Sequence, residues 1–251
     1  MLQGGQLQHV LNERGALSRL AGNAFLLQLV ASYQDATHLY LLTELLQGGE
    51  LHSLLARQPG KRLPQEQAAF YGAIVASALE HLHERHYVYR DIKPENLLVD
   101  ARGYLRLVDL GFAKEVLGKT YTLCGTPEYL PPEVILNQGH AQPVDCWALG
   151  VLVHEMMVGR APFISADDNQ MELYQKILSG ALFAELPADA PRLDKPSERH
   201  ARGLIESLVQ RQPEARLTCS AREQTGLMRH AAFPIEHSPR PCTPGTRHRY
   251  P

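Results

Sequence analysis

No apolar run in this 251-residue chain approaches the roughly 20 residues that a membrane helix needs. The opening MLQGGQLQHVLNERG also lacks the basic-then-apolar order of a secretory signal. Charge of one sign is missing too. Twenty-five Lys and Arg against 27 Asp and Glu leave a net charge of −2, which excludes a nucleic-acid-binding stripe or a polybasic membrane anchor. Cysteine is sparse: Cys124, Cys146, Cys219 and Cys242 stand far apart with no C-x-x-C pair. Neither a disulfide framework nor a zinc site has the required spacing, so the four read as reduced thiols of an intracellular, cytoplasmic protein. No internal repeat is visible, and no lysine precedes Lys61.

What remains is an ordinary globular composition, 44% hydrophobic and 21% charged. Leu7, Val10, Leu11, Leu17 and Leu20 recur at helical spacing and predict an amphipathic helix starting almost at Met1. Two short apolar runs, Phe25–Ser32 and His38–Glu44, flank the polar stretch Tyr33–Thr37 and read as a strand pair. Gly48-Gly49 breaks the pattern. A long helix follows, with Pro64 in its first turn and Tyr71, Ile74, Val75, Ala78, Leu79 and Leu82 as one apolar stripe. His81, His83 and His86 read as the polar end of that helix rather than as metal ligands, since the first two fall on different faces. The runs Leu97–Asp100 and Tyr104–Asp109, joined by Ala101-Arg102-Gly103, predict a hairpin. From Asp145 onward the pattern is mainly helical, with Val144, Trp147, Val151 and Leu152 on one face. Past Phe233 the proline-rich, polar segment PIEHSPRPCTPGTRHRYP reads as disordered.

Four motifs carry chemistry. Tyr89-Arg90-Asp91-Ile92-Lys93-Pro94-Glu95-Asn96 comes first, and Asp109-Leu110-Gly111 follows across the predicted hairpin. Cys124-Gly125-Thr126-Pro127-Glu128-Tyr129 and Asp145-Cys146-Trp147-Ala148-Leu149-Gly150 complete the series. In this order and spacing they resemble the catalytic loop, metal-binding loop and later segments of protein kinases, from about Gln8 to Phe233. Tyr89 stands where most kinases have histidine. YRDIKPEN, LGFAK, TLCGTPEYL and Asn137-Gln138-Gly139-His140 look most like the cyclic-nucleotide-dependent kinases of the AGC group, with the cGMP-dependent branch slightly favoured.

The resemblance implies an α+β kinase fold with a partial small lobe over residues 1–46, a mainly helical large lobe over 47–233 and the tail over 234–251. It implies transfer of the ATP γ-phosphate to serine or threonine, which rests on positioning and charge neutralisation. Asp91 would accept the hydroxyl proton and Lys93 would steady the phosphate. Asn96 and Asp109 would supply the hard oxygens Mg²⁺ prefers, and Thr126 would hydrogen-bond beside Asp91 and Lys93. Adenine would lie on Thr43-Glu44-Leu45-Leu46, read by the carbonyl of Glu44 and the N–H of Leu46, with Thr43 as a small gatekeeper. Leu98, Glu50 and Glu13 complete the implied nucleotide site. Glu50, Glu95 and Glu155 match positions that bind arginines of basic protein substrates. Thr122 matches a threonine phosphorylated by an upstream activating kinase, with Arg90, Lys114 and His9 at the positions of its phosphate partners. Glu133 and Arg216 match a buried ion pair. Neither nucleic acid nor membrane is an expected partner.

The pattern also departs from the family. Kinases carry a Gly-rich loop over the phosphates and a strand lysine paired with a helix glutamate. Glu13 matches that glutamate, but the lysine has no counterpart, and Gly4-Gly5 is too short to be the loop. Leu110 replaces a phenylalanine, with Leu17, Leu29 and Tyr89 as expected neighbours, and Pro131 replaces an alanine. The chain therefore reads as a kinase domain truncated at its N-terminus, lacking the first three strands of the small lobe. The alternative reading is a catalytically impaired, kinase-like binding module that displays the peptide cleft.

Overall fold

The computed structural model describes residues 4–219, except 166, 168, 184, 185, 187–189, 192, 194, 196 and 197. The expected disorder past Phe233, Cys242 and the helix start at Met1 lie outside the described residues.

The first helix, α1, spans Gly4–Arg19 and buries Ala16 and Leu17 at its C-terminal end. It leads to an antiparallel pair, β1 (Leu29–Gln34) and β2 (Leu39–Thr43). β1 runs two residues beyond the predicted limit, taking in Tyr33 and Gln34. Both are solvent-exposed, so hydropathy did not mark them as strand. Asp35 closes the hairpin: its Oδ1 accepts the N–H groups of Thr37 and His38, each at 2.7 Å, and Oδ2 accepts Tyr40 OH at 2.7 Å. This is the local bonding that suits aspartate to turns. The outer face of the pair exposes Val30, Tyr33, Tyr40 and Leu42.

Large-lobe structure begins with α2 (Leu51–Ala56) and α3 (Gln65–His83). All six predicted stripe residues of α3 are buried. They pack on α5 (Pro143–Val158), which Pro143 starts and Gly159 ends in the left-handed region at φ 93°. α5 is enclosed on almost every side: Trp147, Leu149, Val151, Leu152 and Met156 expose essentially nothing. This exceeds the single apolar face read from the sequence and makes α5 the axis of the core. A β-carbon on Gly159 would lie 2.1 Å from the Gly60 carbonyl oxygen, so this turn demands glycine.

Between α3 and α5 lie β3 (Tyr87–Val88), β4 (Leu97–Val99), β5 (Leu105–Leu107), β6 (Lys114–Glu115) and the short α4 (Pro132–Ile135). β4 pairs antiparallel with β5, as the hairpin reading requires, and β3 pairs with β6. Asp100 Oδ1 holds the hairpin turn by accepting the N–H groups of Arg102 and Tyr104. α6 (Gln170–Ser179) and α7 (Arg199–Leu208) follow, with α7 packed on α5. Two backbone links tie the N-terminal portion to this body. Phe25 and Leu27 bond to Leu107, and Gly48 and Gly49 bond to Val99. The result is the expected α+β architecture, with the site loops at the junction. No helix among the described residues is long and apolar enough to cross a membrane.

Candidate active site

The loop after β3 is held from beneath by Asp145, which exposes nothing. Its Oδ2 accepts Tyr89 N–H at 2.9 Å and its Oδ1 accepts Arg90 N–H at 2.8 Å. Arg90 is thereby held at φ 71°, where any residue with a β-carbon pays a conformational cost. Burial pushes the Tyr89 hydroxyl well above its ordinary pKa, and the nearby Asp91 raises it further, so it stays a neutral donor to the Val108 carbonyl.

Beyond that bend, three predicted residues converge on the carboxylate of a fourth. Asp91 is 3% exposed. Its Oδ2 receives Asn96 Nδ2 at 2.7 Å and Lys93 Nζ at 3.0 Å, and its Oδ1 receives Thr126 Oγ1 at 3.2 Å. Asn96 Nδ2 also donates to the Asp91 carbonyl at 2.9 Å. A buried carboxylate needs such partners. The arrangement fixes its rotamer beside a cation without capping it with a second carboxylate. Gly125, at φ 104°, lets the Thr126 segment pass Arg90; a β-carbon there would lie 2.8 Å from the Arg90 carbonyl oxygen.

Asp109 occupies φ 53° at the end of the hairpin, and its Oδ1 accepts Gly111 N–H at 3.1 Å. Leu110 is fully buried in the cluster that contains Leu17 and Tyr89, with Leu29 packed against it. Donor chemistry fits a hard cation here. Asn96 spends its amide nitrogen on Asp91, leaving carbonyl Oδ1, and Asp109 spends Oδ1 on Gly111, leaving Oδ2.

Residues 43–46, the expected adenine segment, leave backbone groups open. Glu44 turns its side chain inward, where Oε1 accepts Gln28 N–H at 3.0 Å and lies 3.8 Å from Arg106. Among the described residues, neither its carbonyl nor the Leu46 N–H makes a backbone hydrogen bond. Leu98 is half-buried in β4 and bridged to the exposed Glu50.

Glu13 sits half-buried on α1. Burial, and then the charge of Asp109, push its carboxyl above the usual range, while His9 pulls it down. His9 Nε2 is 3.7 Å from Asp109 Oδ1, and its ring meets Phe112 edge-on at 4.9 Å. His9 is thus set against the Asp109 loop rather than beside Thr122, correcting its expected role as a phosphate partner. Thr122 itself is exposed. Arg90 Nε bonds the Phe112 carbonyl at 2.8 Å, leaving Nη1 buried without a hydrogen-bond partner. Lys114 Nζ bonds Thr120 Oγ1 at 3.1 Å. Both cations pull down the pKa of His140, after burial, and also act on Cys124, so they converge on the segment flanking Thr122.

Glu155 binds Tyr129 OH and has its pKa raised by burial, with Glu95 and Glu128 raising it further. Glu95 and Glu128 thus lie near enough for their charges to act on Glu155, and Glu128 is a residue the sequence reading passed over within its own motif. Glu50 is bridged through its backbone to Leu98. Asp145 was likewise quoted without a role. An acid among the apolar residues of the first turns of α5 was the available signal. Glu133 and Arg216 form a bidentate pair at 2.5 and 2.7 Å, both buried.

Two sequence readings change in three dimensions. His83 is not a solvated helix end: it is 11% exposed and bonds Asp145 Oδ2 at 2.8 Å. Cys146 and Cys219, 73 residues apart, bring their sulfurs to 3.2 Å.

The family model for the protein kinase domain matches residues 2–228. The human cAMP-dependent protein kinase catalytic subunit PRKX is 42% identical over 233 residues, covering 92% of this chain and 59% of the relative. The cGMP-dependent protein kinase of Toxoplasma gondii is 41% identical over 229 residues, 91% of this chain and 22% of the relative. The cAMP-dependent protein kinase catalytic subunit of Arthrobotrys oligospora is 46% identical over 175 residues, 70% of this chain and 33% of the relative. The chain therefore spans from 22% to 59% of the length of these relatives.

Proposed function

The chain belongs to the protein kinase family, in the AGC group beside the cyclic-nucleotide-dependent enzymes, and from that premise we propose that it transfers the γ-phosphate of ATP to serine or threonine of basic protein substrates. The observation that carries the proposal is the convergence of Lys93, Asn96 and Thr126 on buried Asp91. Asp91 accepts the proton of the attacking hydroxyl, and Lys93 lies beside it to meet the charge of the moving phosphate. Asn96 and Asp109 would hold Mg²⁺, which would supply neutralisation of phosphate charge. The free carbonyl of Glu44 and N–H of Leu46 read adenine, with Leu98 beneath, while Glu13 and Glu50 border the nucleotide.

Glu95 and Glu155, joined by Glu128 and with Glu50 nearer the hinge, favour arginines ahead of the acceptor. Thr122 is the phosphorylation site for an upstream kinase. The buried, unpartnered Nη1 of Arg90 and the neighbouring Lys114 supply the cations a phosphate needs.

One observation favours a second reading. Glu13 is half-buried with Asp109 and His9 as its charged neighbours, and burial raises its pKa. A kinase-like module that binds peptide without efficient transfer would show this. The test is incorporation of labelled phosphate from ATP and Mg²⁺ into a serine peptide carrying arginines, against the same peptide with alanines. Arginine-dependent transfer supports the kinase reading; peptide binding without transfer supports the module.

A further inference from the structure

Three side chains that phosphoryl transfer does not use meet beside the first turn of α5. His83 ends α3, Cys146 lies in α5, and Cys219 follows the short turn Pro213–Ala215. The two sulfurs are 3.2 Å apart, with both cysteines at most 3% exposed. One ring nitrogen of His83 and the two sulfurs all lie within 4.8 Å of one another. A cavity of about 260 Å³, whose rim includes Glu80, Glu84 and Gln142, opens onto all three.

The chemistry of this trio is selective. The Asp145 carboxylate can only accept, so His83 Nε2 carries the proton and a metal would be met by Nδ1. A carboxylate behind an imidazole is the usual outer partner of a metal-binding histidine. The two sulfurs face each other at 3.2 Å beside the imidazole, with no disulfide joining them. Soft sulfur with imidazole suits a d¹⁰ cation, whereas the oxygens at Asn96 and Asp109 suit a hard one.

We propose that His83, Cys146 and Cys219 form a binding site for zinc, with its fourth coordination position open to the cavity. Tetrahedral Zn–S bonds of about 2.3 Å place two sulfurs roughly 3.8 Å apart, so the pair opens by about 0.6 Å to admit the ion. Binding displaces both thiol protons to solvent, and the two thiolates neutralise the dication. No oxidant takes part. The site lies behind the catalytic loop, because Asp145 joins His83 to Tyr89 N–H and Arg90 N–H. A bound ion therefore braces the loop that carries Asp91.

Cobalt(II) serves as the spectroscopic probe. The reduced, chelator-treated protein is titrated with Co²⁺ and then back-titrated with Zn²⁺. One equivalent should produce sulfur-to-cobalt charge transfer and tetrahedral d–d bands that zinc abolishes. Cys146→Ser and Cys219→Ser should each weaken binding roughly tenfold or more, while Cys124→Ser and Cys242→Ser leave it unchanged. His83→Gln, at the cavity rim, tests the site even where a buried serine prevents folding, and it should weaken binding in the same way. Absence of the bands, or their survival at full affinity in His83→Gln, overturns the proposal. So does a Cys146–Cys219 disulfide in protein whose reduced form takes up no metal.

Discussion

Replacing Arg216 with methionine isolates one charge while keeping most of the side chain's volume. In the native chain its guanidinium meets Glu133 through two bonds of 2.5 and 2.7 Å, with side-chain exposures of 1% and 4%. Arg216 also donates to the carbonyls of Gln210, Pro143 and Arg211, and it stacks over Trp147 at 5.1 Å. Methionine leaves the Glu133 carboxylate buried without its counter-ion, a loss of about 3–5 kcal/mol. Three carbonyls lose a charged donor at the same time, which places the loss toward the upper end. For a domain of this size that is a fall of roughly 6–20 °C in Tm. Urea unfolding of the wild type, Arg216→Met, Glu133→Leu and the double variant measures it, because an apolar pair removes both charges together. The double variant should recover most of the loss. A single-variant loss below about 1 kcal/mol, or a double variant as unstable as the two singles summed, would refute the reasoning.

Three further outcomes are expected. Burial holds His154 down at about 4, with Nδ1 donating to the Arg160 carbonyl at 3.0 Å and Nε2 unpartnered. The unfolded chain takes up that proton near 6.5 and the folded chain only near 4. Stability from this group is thus complete above 6.5, declines by about 3 kcal/mol as pH falls to 4, and changes no further below. His154→Gln should flatten that decline in pH-dependent unfolding; an unchanged slope counts against it. Glu95→Lys should raise KM for an arginine-bearing peptide roughly tenfold with kcat little altered, and KM that stays put removes Glu95 from the peptide site. In Gly111→Ala the new β-carbon would lie 2.0 Å from His9 Nε2. The variant should lose about 1–3 kcal/mol of stability. His9→Ala in the same chain should restore it; failure to do so places the strain elsewhere.

Local patterns carried much of this molecule. The stripe on α3 and the hairpin of β4 and β5 were legible because period and turn chemistry are encoded within a dozen residues. The cluster about Asp91 was legible in the same way, since Lys93 and Asn96 lie within five positions and Thr126 sits in its own motif. What escaped depends on long-range packing. Glu128 joins Glu155 only because Tyr129 packs beside α5, and no spacing rule connects positions 146 and 219. The extension of β1 through Tyr33 and Gln34 was hidden because an exposed edge pair lacks the apolar alternation of a buried strand. The left-handed bends at Arg90 and Asp109 were equally invisible, because they are imposed by bonds to Asp145 and by the turn around Leu110.

The proposed role of Asp91 as proton acceptor in phosphoryl transfer underlies every other assignment at the site. The direct measurement is kcat of Asp91→Asn against the wild type, with peptide and ATP affinities determined in parallel. Asparagine keeps the shape and can still receive Lys93, so binding should be nearly unchanged while kcat falls by about 10²–10⁴. Equal rates in the two proteins would contradict the assignment of the chemistry to this carboxylate.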